Sequence, residues 1–223
     1  ISSAASDVYK RQHFTNQHIE SIGLRTPSDS GLLEYQGILS QQNISYSSLT
    51  ELNGLKHFSF EDHNHQKFDI YSDEHNTGIG LGIPSFESSV NPLHQVQGLG
   101  PVIIKVNELP ITTSILIQVF GLDLFAEYLP HEEATQHIHV FKIGEGGLGG
   151  ELHLYEAKEN IEMADCGPIE QVEFATKERE AFNHAKERLD DIGIPYQTLE
   201  QDDSESLRIT ENSGISFIYT LEK

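Results

Sequence analysis

Tryptophan is absent from the 223 residues, and cysteine and methionine occur once each, as Cys166 and Met163. A single cysteine excludes an internal disulfide framework and fits a reducing compartment, so a cytoplasmic location is expected. No His or basic residue neighbours Cys166 in sequence to activate it, and its DCGP setting reads as a turn. Basic residues are scarce: 14 Lys and Arg stand against 35 Asp and Glu, a formal net charge of −21. A surface this acidic repels phosphate backbones and anionic lipid, which argues against nucleic-acid and membrane partners. No apolar run approaches the roughly 20 residues of a membrane span. The longest, Ser114 to Phe120, reads as a buried helix segment. GxSxG, HExxH, CxxC and GxxxxGK[ST] patterns are all missing, so no common nucleophile, zinc or phosphate motif identifies a site.

Apolar residues make up 37% of the chain, with 11 Phe and 8 Tyr, enough to build a core and to exclude a disordered chain. Residues 1–12 (ISSAASDVYKRQ) have no apolar periodicity, join no later pattern and lack the apolar stretch of a signal peptide. They read as a non-native tail on a chain whose native start is missing.

The rest repeats itself. Ile19-Glu20-Ser21-Ile22 matches Ile169-Glu170-Gln171-Val172, and Ile44-Ser45-Tyr46 matches Ile194-Pro195-Tyr196, both at an offset of about 150 residues. Phe68-Asp69-Ile70-Tyr71 then matches Phe217-Ile218-Tyr219 with one residue fewer between them. Each copy opens on a short alternating run, Ile22 to Arg25 or Val172 to Phe174, followed by a helix and short strands. In the last copy Thr176 is placed to cap a helix in which Phe182, Ala185, Leu189 and Ile192 recur at helical spacing, and Gly193 stands where it should end. Three strands follow, Tyr196–Leu199, Ser206–Thr210 and Ile215–Leu221. In a middle copy, Val102–Val106 reads as the first strand and Thr112–Phe120 as the helix. His137–Ile143 and Glu151–Tyr155 read as a hairpin around Gly144 to Gly150, whose glycines join strands and so suggest a flexible loop, not a phosphate cradle. The expected organisation is a βαβββ-like module at 13–77, a Gly/Ser/Pro/Asn-rich linker at 78–97 between the first copy and the later pair, and modules at 98–160 and 167–223, with the pairing of modules left open. Helices covering one face of mainly antiparallel sheets give an α+β class.

A strand, a helix and three strands, repeated, resembles the module of the vicinal-oxygen-chelate superfamily of glyoxalases, bleomycin-resistance proteins and extradiol dioxygenases. Gln95 to Val102 (QVQGLGPV) resembles the start of the third module in bacterial hydroquinone-type ring-cleaving dioxygenases. Ser206-Leu207 and Gly214-Ile215 with Phe217 resemble that family's last module, with its SL…NGILFE pattern. The resemblance runs from about Phe14 to Lys223. It implies half-open, mainly antiparallel barrels built from paired modules. Family members carry four, so it also implies that the first is absent from this chain. It further implies a divalent metal, Fe²⁺, Mn²⁺ or Zn²⁺, held by His and Glu on inward strand positions with open sites for substrate oxygens. At the matched positions of the last module stand Gln171 in place of His and Ile218 in place of Glu. Gln binds metal weakly and Ile not at all, so the usual ligand set is broken.

Other residues offer alternatives. Asp69 holds the position equivalent to Ile218 in the first copy, and is otherwise an ordinary polar residue at a strand end. His137 and His139 share one face of a strand. If the glycine turn is centred near Gly146, His139 and His153 become same-face neighbours beside Glu151, a candidate divalent site. The plainer reading is a set of partly exposed strand histidines. His57, His63 and His65 flank a polar turn that reads as solvated. The resemblance thus implies metal-dependent cleavage of a catechol or hydroquinone, or a glyoxalase-like reaction. The alternative is a catalytically silent protein of the same fold binding a small aromatic or electrophilic molecule, with Phe58, Phe60, Phe141, Tyr155 and Phe174 as lining candidates. In a third reading the chain is a fragment. A homodimer is one open assembly.

Overall fold

The computed structural model describes residues 18–52, 54–131, 133–161, 170–201, 203–212 and 214–222. The readings of residues 1–12, Cys166 and Met163 lie outside them. The first module runs β1 (Ile19–Thr26), α1 (Asp29–Gln41), β2 (Thr50–Leu52), β3 (Leu55–Glu61) and β4 (Lys67–Ser72). The second runs β5 (Gly98–Val106), α2 (Leu109–Gln118), β6 (Asp123–Tyr128), β7 (Ile138–Lys142) and β8 (Glu151–Glu156). The third runs β9 (Gln171–Thr176), α3 (Arg179–Ile192), β10 (Gln197–Gln201), β11 (Ser204–Thr210) and β12 (Ser216–Glu222).

Two sheets result. One has eight strands in the order β2-β3-β4-β1-β5-β8-β7-β6, the other four in the order β10-β11-β12-β9. In every module the first strand lies parallel to the last: β1 to β4, β5 to β8 and β9 to β12. The sequence repeat reappears as strand register. Ser21 pairs with Lys67 and Ile22 with Phe68, while the equivalent Gln171 pairs with Ser216 and Val172 with Phe217.

Sequence left open which modules pair. In the structure β1 and β5 run antiparallel and fuse the first two modules into one sheet, and segment 78–97 bridges them. Linker composition reports local turn content and carries no information on which strand edges meet.

Helix ends follow local chemistry. The Ser28 hydroxyl accepts the Gly31 N–H at the start of α1. Pro110 sits in the first turn of α2. Gly193, at φ +78°, closes α3 by donating to the Leu189 carbonyl. Thr176 does not cap α3 as expected; its hydroxyl accepts the N–H of Glu178, which holds the N-cap position two residues on.

Leu32, Leu39, Phe58 and Ile70 form the core beneath α1. A larger core unites the second and third modules. Phe120, just beyond α2, lies 5.7 Å from the Phe174 ring and 5.5 Å from that of Tyr219. The third module therefore docks on the helix side of the second. Glu170 ties it to the first as well, accepting the backbone N–H groups of His18 and Ile19, each at 2.8 Å, and pairing with His18 Nδ1 at 2.7 Å. Burial pushes this carboxyl up, but the His18 ring and the two N–H donors outweigh it and hold it below the usual range.

Arg25 secures the β1–β5 seam. Its guanidinium donates to the Leu99 carbonyl at 2.8 Å, Asp73 at 3.1 Å, and the Ile79 and Gly80 carbonyls at 2.9 and 3.0 Å. The glycine loop packs on this cluster: a Cβ on Gly149 would fall 2.5 Å from the guanidinium, and one on Gly147 would overlap the Thr77 carbonyl oxygen. These glycines serve close approach, not the loop flexibility expected from composition. Arg25→Ala leaves a buried cation's partners unmatched: one partly buried carboxylate and three carbonyls. We expect it to cost about 3–5 kcal/mol in urea unfolding, with Arg25→Lys recovering part of that. A loss below about 1 kcal/mol contradicts the assignment.

Candidate functional site

Strand alternation divides the eight-stranded sheet into two faces. Phe58 and Ile70 point to α1, whereas His57, Ser59, Asp69 and Tyr71, paired across β3 and β4, point the other way. Across the seam, Ile103 stands opposite Ser21 and His153 opposite Ile103, so β8 presents His153 and Tyr155 on that second face. Residues from the two edge strands, Thr50 on β2 and Tyr128 on β6, line one cavity of about 980 Å³, so the sheet curls into a cup.

Asp69 lies on the floor, 4% exposed, accepting the Ser21 and Ser59 hydroxyls. His57 stacks on Tyr71 with ring centroids 4.9 Å apart. One ring nitrogen, Nε2, is 3.2 Å from the Thr50 hydroxyl, and the other, Nδ1, is buried without a partner. Burial lowers the His57 pKa, a shift that the Asp69 charge opposes. On the opposite wall Tyr128 lines the cavity and His153, 2% exposed, stands behind it. The Tyr128 hydroxyl is 3.0 Å from His153 Nδ1, and His153 Nε2 is 3.1 Å from Glu151. Burial, then the charges of Asp69 and Glu151, push the Tyr128 phenol well above its usual pKa. Burial does the same to Tyr155, reinforced by Glu20, to which its hydroxyl donates at 3.0 Å. Among the described residues lining the cup, Glu20, Glu51, Asp69, Glu133 and Glu159 outnumber Lys67, Lys105 and Lys158.

No family model matches the chain. It is 28% identical over 169 residues to MhqA of Bacillus subtilis (strain 168), a protein assigned as a ring-cleaving dioxygenase. The match takes in 75% of this chain but 52% of that protein, so the chain spans about half the length of its curated relative. A solved structure assigned as a dioxygenase, from Bacillus subtilis subsp. subtilis str. 168, superposes with TM-score 0.68 at 13% identity, covering 92% of this chain and 62% of its own. The chain has the fold of the vicinal-oxygen-chelate superfamily and is similar in sequence to one of its ring-cleaving dioxygenases. FosX of Listeria monocytogenes, solved with Mn(II), overlaps 58% of this chain and 95% of its own at 15% identity and TM-score 0.42.

Divalent metals are typical of the superfamily, and the donors here do not fit one. Both Asp69 oxygens are engaged by hydroxyls, and both His153 nitrogens by Tyr128 and Glu151. Among the described residues no three His, Cys, Asp or Glu side chains gather in a metal-holding group. Gln171 is exposed at the start of β9, and Ile218 is half-buried on β12 beside Glu173, both on the four-stranded sheet.

The expected His139–His153 pairing does not form. The hairpin pairs His139 with Leu154 and Val140 with His153, because its turn centres half a residue beyond Gly146. That one-residue slip turns His139 to the opposite face, where it pairs with Glu127 at 3.0 Å. Of the expected lining aromatics, Tyr155 lines the cup, whereas Phe58, Phe141 and Phe174 are core residues. His57, placed beside a solvated turn, is a strand residue of the cup wall. Tyr71 and Tyr128 were not singled out by sequence; alternation from Asp69 would have found Tyr71.

His57 makes the cup sensitive to acid. Its folded pKa lies below the unfolded value of about 6.5, so the unfolded chain takes up the proton first. Its contribution to stability is full above about pH 6.5 and falls as pH drops toward the lowered folded value. Urea midpoints between pH 7 and 5 should decline less steeply in His57→Asn than in the wild type; equal slopes contradict this.

Proposed function

We propose that the curled sheet of the first two modules is a binding cup for a small neutral aromatic molecule of the catechol or hydroquinone type, and that binding there needs no metal held by this chain's own residues. The carrying observation is the cavity, polar on its floor, walled by Tyr71, Tyr128 and Tyr155 and richer in carboxylates than in lysines. A ring stacks on such walls, and the polar groups meet its hydroxyls. The excess of carboxylates disfavours anionic ligands.

The identity to a protein assigned as a ring-cleaving dioxygenase favours a second reading, oxidative cleavage of the same ligands by a bound Fe²⁺ or Mn²⁺. Its activity would need ligands other than Gln171 and Ile218. Calorimetry with methylhydroquinone, on chelator-treated and on anaerobically metal-loaded protein, separates the two readings when combined with oxygen-uptake assays. The cup reading expects saturable binding at or below about millimolar affinity in the chelated protein, metal far below one equivalent, and no oxygen uptake. Near-stoichiometric metal with turnover supports the second reading instead.

A further inference from the structure

We propose that Glu151, His153 and Tyr128 form a relay that selects a hydroxyl-bearing neutral ligand in the cup, with Tyr128 touching the ligand and the other two as positioning residues. This rests on the cup being the small-molecule site. Glu151 begins β8, His153 lies two residues on along the same face, and Tyr128 ends β6 across the intervening β7. The chain of contacts runs from outside the cavity, through a nearly inaccessible imidazole, to a phenol on the cavity wall.

The direction of the hydrogen bonds gives the selectivity. A carboxylate only accepts, so a neutral imidazole beside it holds its single proton on Nε2, the nitrogen facing Glu151. Nδ1 then carries the lone pair and accepts the Tyr128 O–H. With its single proton turned toward His153, the Tyr128 oxygen offers the cavity an acceptor and no donor. A phenol, catechol or hydroquinone hydroxyl satisfies it. A carbonyl or ether oxygen at the same place meets lone pair with lone pair and leaves a half-buried polar group unmatched. The T-shaped arrangement of the Tyr128 and His153 rings, centroids 5.5 Å apart, keeps the phenol aimed at Nδ1.

Hydroquinone and its dimethyl ether, 1,4-dimethoxybenzene, share a ring and differ in the proton that Tyr128 would accept. In calorimetry the wild type should prefer hydroquinone by at least about tenfold, or about 1.4 kcal/mol. Tyr128→Phe should reduce the preference to within about twofold, because hydroquinone loses its acceptor and the ether loses its lone-pair repulsion. Glu151→Gln, which keeps an acceptor, should retain the preference, and Glu151→Leu should lose it. Nitrogen-15 NMR should find the His153 proton on Nε2 in the wild type and in Glu151→Gln, the signal being assigned by its loss in His153→Asn. Equal binding of the two compounds by the wild type, or undiminished preference in Tyr128→Phe, overturns the relay and leaves the cup standing. Binding of neither compound overturns the cup and the relay together. A wild-type His153 protonated on Nδ1 overturns the relay whatever binds.

Discussion

A cup made from two modules exists because two strand edges meet, and one buried cation holds that meeting in place. Arg25 sits on β1 at the seam with β5 and supplies donors to four acceptors: one on β5, one carboxylate just after β4, and two carbonyls of the bridging segment. Taking a guanidinium out of water is costly unless its donors are matched, and here the matching groups are those that must converge for the sheet to close. The glycine loop leans on the same cation, and Asn76 receives its Leu148 N–H. The seam, the bridge and the loop therefore stand or fall with one another.

Closure then makes two different faces. On the convex side, Phe58, Ile70, Leu152 and Leu154 bury against helices and, through Phe120, against the third module. On the concave side alternation places His57, Asp69, Tyr71 and His153, which would have no place in an apolar core. The third module supports the cup from behind, and none of its described residues lines it; Glu170 and His18 form its polar link to β1. No helix among the described residues is long and apolar enough to cross a membrane.

The module repeat was legible in the sequence because it is written in short apolar anchors. The shortening between the first and last anchors reappears in the strand registers, where Ile22 pairs with Phe68 and the equivalent Val172 pairs with Phe217. Much of the site was not legible, for reasons of register. Glycine runs conceal turn length, and half a residue of turn was enough to send His139 to the wrong face. Tyr128 ends a strand, Asp123–Tyr128, whose alternation is broken by an irregularity between Leu124 and Ala126, so no periodic pattern announced it. Asp69 was found, but its hydroxyl partners Ser21 and Ser59, which occupy it, come from separate strands and are invisible to local spacing. The four acceptors of Arg25 are likewise brought together only by the tertiary fold.

The central claim is that ligand recognition belongs to the cup and not to the four-stranded sheet carrying Gln171 and Ile218. Hydrogen exchange resolved by segment, with and without saturating methylhydroquinone, tests it most directly. The account predicts slowed exchange in β4, β6 and β8 and no change in β9 to β12. Protection confined to β9 and β12 would contradict it.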